Sequence, residues 1–444
     1  MDYPNIIFIV LDSLRKDHAK PLEEALKNLG FVSYDNAIAP APWTIPSHAS
    51  LFSGLYPLLH GAHETKNKKI PNIKFSKKEI ISIELSERDY NTCLISANEF
   101  IRPEFGFIGF NKFYDILWTP SIQILNKNEI ELLSHFNSRR DKVKYLLSTK
   151  KIDTLLKATI SFFIDRTYLP LLSHIKKWPI EKGSAKFLKI LKNINWNEGP
   201  FFIFANLMEA HEPYSLQDSG GIIATLKNKV NPKIIKTWQE GYSQQVNYLF
   251  NRIHEILELI KKKGVFDKSL IVIVSDHGQL LGNRNRLGHG VFLEDELLRV
   301  PLLIKYPRDL ELDNSNKINK YVSLTKLRSH IIGIVDCKVS SDQNLYSDSV
   351  ISESYGITFP YEMFSKEELN SIKHLEKYRI AVYYKNFKGI FNVADWKFEE
   401  IISYNPNIEI TEDILKQMRK EVTRFLRTAI VTKVLKYKSN KKLL

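Results

Sequence analysis

Asn5-Ile6-Ile7-Phe8-Ile9-Val10-Leu11-Asp12 is the stretch from which the fold of this 444-residue chain can be read. Seven residues rich in β-branched and aromatic side chains, with no polar alternation, predict a strand buried on both faces, which requires a parallel sheet covered by helices on each side. Asp12 follows directly, so a carboxylate stands at the carboxyl end of that strand, where open α/β sheets place their ligands. Ser269 to Val274 repeats the pattern and runs into Ser275-Asp276-His277-Gly278. The two strands are therefore expected to deliver Asp12 and the Asp276-His277 pair to one edge of one sheet.

Working outward, Tyr90 to Ala97 and Phe201 to Asn206 read as further strands, and Ile234 to Lys262 as a long amphipathic helix broken only by Gly241. The alternation predicts an α/β fold with a mostly parallel central sheet flanked by helices on both faces, and a smaller carboxyl-terminal α+β part. Residues 1–340 are expected to form the major domain, interrupted at about 119–197 by a basic helical insertion. Residues 341–410, with strands at Ser349 to Glu353 and Tyr378 to Tyr384, form the smaller part, and 411–444 a basic helical tail. With 43% hydrophobic residues the chain can bury a substantial core.

The net charge of +14 is concentrated in two places. Arg139 to Lys177 holds ten Lys or Arg against three Asp, and Lys416 to Leu444 holds ten against the single Glu421. The most apolar part of the insertion, Leu155 to Leu172, contains Lys157, Asp165, Arg166 and Pro170, which excludes a spanning helix and leaves a membrane-surface or lid segment. No zinc finger, helix-turn-helix or aromatic-basic RNA motif accompanies the charge, so an anionic membrane surface is the better partner and nucleic acid is disfavoured. A solvated charged face is the plain alternative. Cys93 and Cys337 lie in apolar runs and read as small buried side chains, which excludes a disulfide scaffold and fits a reducing compartment. Met1-Asp2-Tyr3-Pro4 leads straight into the first strand with no signal peptide, and no apolar run is long enough to cross a bilayer. The expected address is cytoplasmic, peripheral at a membrane if the basic segments bind one.

Carboxylate oxygens and an imidazole nitrogen suit a borderline or hard divalent cation, and a deprotonated hydroxyl can join them. Taken singly, Asp12 or an Asp-His-Gly turn is more often ordinary structure than a metal site. The order of several blocks is more specific. The opening strand with Asp12 comes first, then Thr44-Ile45-Pro46-Ser47-His48 with Leu51, Ser53-Gly54 and His60-Gly61. Glu209-Ala210-His211-Glu212-Pro213-Tyr214 follows a strand, and Ser275-Asp276-His277-Gly278, Leu281-Gly282, Gly288-His289-Gly290 and Arg299-Val300-Pro301-Leu302 close the series. In this order the blocks resemble the sulfatase branch of the alkaline-phosphatase superfamily over most of the chain.

The resemblance implies a metal held by Asp12, Asp276 and His277, with Thr44 as a further ligand and as nucleophile. His211 and His289 would bind the non-bridging oxygens or protonate the leaving group, and His48, Arg15 and Asn98 would touch substrate. One divalent ion (Ca, Mg, Mn or Zn) is expected, because the chain lacks the extra acidic block of two-metal relatives. The alternative is a second site built from Glu209, His211 and His289. The departures point to the substrate. Sulfatases carry Cys or Ser at the nucleophile position and convert it to formylglycine, which Thr44 cannot become. The family's Arg is His48 here, and its second acidic residue is Ser13. Relatives with a Thr nucleophile act on phosphate esters, so a hydrolase or phosphotransferase acting on a phosphodiester-type ester is the reading, its anionic substrate a small molecule or linked to a glycan or lipid. The alternatives are a sulfuric ester hydrolase lacking formylglycine and a non-catalytic binding protein on the same fold.

Overall fold

The computed structural model of the chain describes residues 3–63, 80–117, 125, 129, 132–133, 139–163, 178–215, 220–310, 320–359 and 361–441. Of the expected insertion this includes two helices, Arg139–Ser148 and Ile152–Phe163, and the stretch from 178 onward. Residues 164–172 of the apolar stretch and 442–444 of the tail lie outside the described residues.

Seven strands build the central sheet: β1 (Asn5–Leu11), β2 (Val32–Ser33), β3 (Asn91–Ser96), β4 (Lys112–Asp115), β5 (Phe201–Leu207), β6 (Ser269–Val274) and β7 (Leu302–Lys305). Their order is β2-β7-β6-β1-β5-β3-β4. All neighbours pair in parallel except β7, which runs against both β6 and β2. The register is flush at the carboxyl ends: Val10 pairs with Val274 on one side and Asn206 on the other, and Asn206 pairs with Ser96. Asp12, Asp276, Asn206 and Asn98 therefore emerge along one edge.

Six helices matter for that edge: α1 (Thr44–Ser53), α2 (Ser184–Asn193), α3 (Pro232–Lys262), α4 (Asp295–Leu298), α5 (Leu327–Val335) and α6 (Glu412–Lys441). Successive residues of a strand point to opposite faces, and the core divides accordingly. Ile6, Phe8 and Val10 pack with Ile45, Ala49 and Phe52 of α1 and Leu327 and Ile331 of α5, while Ile7, Ile9 and Leu11 pack with Phe187 of α2 and Leu249, Ile253 and Ile256 of α3. A strand buried on both faces is thus what the unbroken apolar run of β1 encodes. Gly241, expected to interrupt α3, does not. The helix is continuous, and a Cβ at 241 would stand 2.8 Å from the carbonyl oxygen of Tyr214, so the glycine lets the Tyr214 backbone close on α3. No helix among the described residues is long and apolar enough to cross a membrane.

Strands β8 (Ser349–Ser354), β9 (Arg379–Tyr384), β10 (Phe387–Asn392) and β11 (Lys397–Ser403) form a second, antiparallel sheet. Helix α6 lays Met418 and Val422 on Ile380, Val382, Phe387 and Phe391 of this sheet, so the first half of the basic tail is part of a core. Cys93 is buried as expected, but Cys337 is exposed: it follows α5 at a positive φ of 55°, where the chain turns away from the core.

One carboxylate joins the second sheet to the first. Asp295 at the start of α4 accepts hydrogen bonds of 2.7 Å from the Tyr383 hydroxyl, the Lys388 ammonium and the Tyr404 hydroxyl, with Arg299 3.5 Å away. Burial pushes the Asp295 carboxyl up, but Lys388 and Arg299 outweigh it and hold it below the usual carboxylate range. The backbone of α4 in turn receives Gly278 N–H on Leu297 O at 2.8 Å and Gln279 N–H on Glu296 O at 3.1 Å. A Cβ at Gly278 would lie 1.9 Å from Glu296 O, so only glycine admits this contact. The second sheet therefore braces the loop that carries Asp276 and His277.

Two stability predictions follow from these contacts. Asp295→Ala strands the fully buried Lys388 ammonium without its partner, and should cost about 3–5 kcal/mol in urea unfolding; a loss within experimental error would show that the brace contributes nothing. Glu353 of β8 accepts from Leu58 N–H at 3.1 Å, Tyr355 at 2.8 Å and Tyr378 at 2.7 Å, and burial pushes its carboxyl up to about 7. A folded-state pKa above the unfolded value means that the folded chain holds a proton which the unfolded chain releases. The stabilisation is complete below the ordinary carboxylate pKa and is lost as pH rises through about 7. Melting temperatures measured from acid to mildly alkaline pH should therefore fall in the wild type more than in Glu353→Gln, and parallel curves would remove Glu353 as the cause.

Candidate active site

The turn after β1 is built to hold two carboxylates side by side. Ser13 adopts a positive φ of 64°, which turns its backbone N–H onto Asp276 Oδ1 at 3.3 Å, and its hydroxyl donates to Asp12 Oδ1 at 3.0 Å. Leu14 N–H donates to Ser275 Oγ at 2.9 Å, and that hydroxyl donates to His277 O at 2.6 Å, locking the two strand ends together. The other oxygen of Asp12, Oδ2, accepts from the amides of Asn98 at 3.1 Å and Asn206 at 3.2 Å. Asp12, Asp276, His277 and Asn206 are all fully buried.

Thr44 enters from α1. The helix starts at Thr44 after an extended Trp43, and Pro46 costs nothing there because first-turn N–H groups have no intrahelical acceptor. Gly54 closes the helix in the left-handed region at φ 69°. This sets Thr44 Oγ1 3.2 Å from His277 Nε2. The opposite ring nitrogen, Nδ1, donates to Gly278 O at 2.8 Å, so the ring turns Nε2 to the Asp12, Asp276 and Thr44 side. Asp276 is pushed up by burial, but His277, His48 and the Ser13 N–H together hold it below the usual carboxylate range.

The three residues expected to touch substrate are all turned to protein partners. His48 is fully buried: one ring nitrogen is 3.0 Å from Thr44 O and the other accepts from the Asn206 amide at 3.1 Å, which ties α1 to β5. The Arg15 guanidinium is taken by Asp17 at 2.6 Å, Asn283 at 3.1 Å and Gln279 O at 3.2 Å. Asn98 donates to Asp12 and accepts from Phe100 N–H at 2.9 Å. What faces outward is a rim of two partly exposed imidazoles, His211 and His289, with ring centroids 5.0 Å apart. The His289 ring lies 4.5 Å from that of His277, and burial, followed by the neighbouring His277 and His211 rings, pulls its pKa well below the usual histidine value.

Glu209 does not join the rim as the two-metal alternative required. Its Oε1 accepts from the backbone of Lys182 at 3.2 Å and Ser184 at 2.8 Å, and burial raises its pKa. Lys182 supports the same turn by donating to Pro213 O at 3.0 Å and to His211 O. Nothing in the sequence marks Lys182, whose role exists only through the tertiary contact. Asn206 and Gln279 were legible in principle: the first is a lone amide ending an apolar strand, the second a buried polar residue one step beyond the Asp-His-Gly turn.

The chemistry of the floor fits a divalent cation. Asp12, Asp276 and His277 offer ligand atoms that all lie within 4.8 Å of one another, the one such group of His, Cys, Asp or Glu among the described residues. Asp276 Oδ2 has no hydrogen-bond partner, although His48 Nδ1 at 3.3 Å and His277 Nε2 at 3.4 Å are near without alignment. Asp12 Oδ1 is 3.7 Å from the same His277 nitrogen. Separations of about 3–4 Å are what ligands bound at about 2.0–2.4 Å around one ion require, and two buried carboxylates call for a compensating positive charge.

Comparison with known proteins identifies the family and the fold. The family model described as Sulfatase matches residues 4–337. An arylsulfatase from Clostridium perfringens is 21% identical over 355 residues, 71% of each chain. Among solved structures, the phosphonate monoester hydrolase SpPMH from Silicibacter pomeroyi superposes with a TM-score of 0.62 at 14% identity, over 97% of this chain and 96% of that one. The lipoteichoic acid synthase LtaP from Listeria monocytogenes does so with a TM-score of 0.53 at 14% identity, over 97% and 92%.

A cation that binds the folded floor and not the unfolded chain must stabilise the fold by mass action, by about 2.7 kcal/mol at a hundredfold excess over its dissociation constant, and so raise the melting temperature. Manganese, zinc, calcium or magnesium added to chelator-treated protein should therefore stabilise the wild type and leave Asp276→Asn unmoved. Equal shifts in both proteins would place the ion elsewhere.

Proposed function

The chain belongs to the sulfatase family, and from that premise we propose that it is a metal-dependent hydrolase or phosphotransferase acting on phosphodiester-type esters, with Thr44 as the nucleophile. The observation that carries this is the Thr44 hydroxyl, nearly buried at the first position of α1 and 3.2 Å from His277 Nε2. A threonine cannot become formylglycine, so the group that attacks is an alcohol, and an alcohol attacking phosphorus gives a stable covalent ester that a second alcohol or water can resolve.

The residues divide the work. A divalent cation on Asp12, Asp276 and His277 would supply positive charge beside the reacting oxygens. Thr44 is held for attack by its helix, and the amino end of α1 favours the negative charge that develops there. As its oxygen bonds to phosphorus, the Thr44 proton passes to the bare Nε2 of a rim imidazole, His211 or His289, and the same ring gives it to the ester oxygen as the bond from phosphorus to that oxygen breaks. The incoming water or alcohol then gives its proton to that Nε2 and displaces Thr44, whose oxygen takes the proton and regains its hydroxyl. The ring ends each half as it began. The buried ties of His48, Asn98 and Asn206 keep the floor fixed throughout.

A sulfuric ester is the second reading, favoured by the similarity to an arylsulfatase. The acceptor and the leaving alcohol of a phosphate ester can be carried by a small molecule, a glycan or a lipid, and the neighbour named as a lipoteichoic acid synthase favours a lipid- or glycan-linked one. The two readings separate in a metal-supplemented screen of aryl sulfate, phosphomonoester, phosphodiester and phosphonate monoester. Phosphodiester or phosphonate turnover should dominate, and Thr44→Ala should abolish it with metal content retained. Turnover of the sulfate alone favours the second reading, and undiminished turnover in Thr44→Ala removes Thr44 from the mechanism.

A further inference from the structure

The two rim imidazoles and His277 beneath them each have Nδ1 against an oxygen. For His277 that oxygen is Gly278 O at 2.8 Å, for His211 it is Glu212 O at 2.6 Å, and for His289 it is Gln279 Oε1 at 2.6 Å. Backbone carbonyls can only accept, so the first two rings must carry their proton on Nδ1. The third is different, because a glutamine amide offers either an oxygen or an NH2 group according to how it is turned.

The turn of Gln279 is decided by Glu212. Gln279 Nε2 lies 3.2 Å from Glu212 Oε2, and a carboxylate oxygen accepts without donating. The NH2 group must face Glu212, the amide oxygen must face His289, and His289 must therefore donate from Nδ1. Gln279 is fully buried and has no other orientation that satisfies both neighbours. The same Glu212 carboxylate accepts from Gly221 N–H at 3.3 Å, which holds it in place. One residue consequently governs both rim rings: its backbone carbonyl fixes His211, and its side chain fixes His289 through Gln279.

We propose that Glu212 is a positioning residue that sets the tautomer of both rim histidines, leaving each Nε2 bare toward the reacting side. This rests on the reading of that rim as the site of proton transfer. A bare Nε2 takes the proton of the incoming water or alcohol as its oxygen bonds to phosphorus, and passes it to the Thr44 oxygen as the bond from phosphorus to Thr44 breaks. A ring with the proton on Nε2 and Nδ1 bare could not accept it there. The relay thus assigns the accepting nitrogen before substrate arrives.

The test is a long-range proton–nitrogen correlation spectrum of the full-length protein with 15N-labelled histidine, recorded above neutral pH, with signals assigned by His211→Gln and His289→Gln. His211 and His289 should both show a protonated Nδ1 and a bare Nε2. In Glu212→Ala, His289 should become a mixture of tautomers while His211, held by a backbone carbonyl, keeps its pattern. Gln279→Leu should shift His289 in the same way without touching residue 212. In both variants kcat should fall about 10- to 100-fold with KM little changed, as for other partners that orient a working imidazole. A wild-type His289 protonated on Nε2, or a His289 pattern unmoved in both variants, overturns the proposal. A wild type that shows the tautomers and their shift but turns over no phosphate ester overturns the Thr44 reading and leaves the relay standing.

Discussion

Two carboxylates, Asp12 and Asp276, lie fully buried at the ends of adjacent parallel strands, and most of the surrounding structure exists to make that tolerable. Uncompensated charges cost several kcal/mol or more in an interior. Here the cost is met in layers. The Ser13 turn gives one backbone donor and one hydroxyl, the backbone of His277 gives another donor, and Asn98 and Asn206 give two amides. The remaining need, centred on the unpartnered Asp276 Oδ2, is for a cation. The same concentration of acceptors that makes the floor unfavourable without an ion makes it selective for one.

The site is a fully buried floor with a partly exposed rim. Floor residues bond to each other across β1, β5, β6 and α1, so each is fixed by partners distant in sequence. The Asp276-His277 loop is further held by α4, which Asp295 fastens to the carboxyl-terminal sheet. That sheet carries none of the candidate site residues, yet it reaches the Asp276-His277 loop in two steps through a glycine that no other residue could replace. The rim histidines keep some exposure, and their protons are placed by acceptors on their own loops.

The sheet was legible because burial on both faces leaves a simple mark. The expected bounds of β1 and β6 match the structure, and those of β3, β5 and β9 differ by one residue at one or both ends. Gly241 was misread because a glycine in a helix pattern signals weakness locally, whereas here it serves a contact with Tyr214 that local sequence does not reveal. His48, Arg15 and Asn98 were placed near the site by their blocks, and they are near it, but their direction was not encoded in spacing. Each was captured by a polar partner from another part of the chain.

By itself the sequence determined which residue types stand at the carboxyl ends of which strands, since a run of apolar residues fixes a buried strand and the next residue inherits its position. It also determined that the attacking group, if Thr44 attacks, is an alcohol. Only the tertiary structure decided which polar groups face inward to each other and which remain for substrate. Hydrogen-bond direction depends on partners far apart in sequence: Gln279 can be turned only once Glu212 is beside it, and Glu209 is claimed by the backbone of Lys182 and Ser184 before it can approach a histidine.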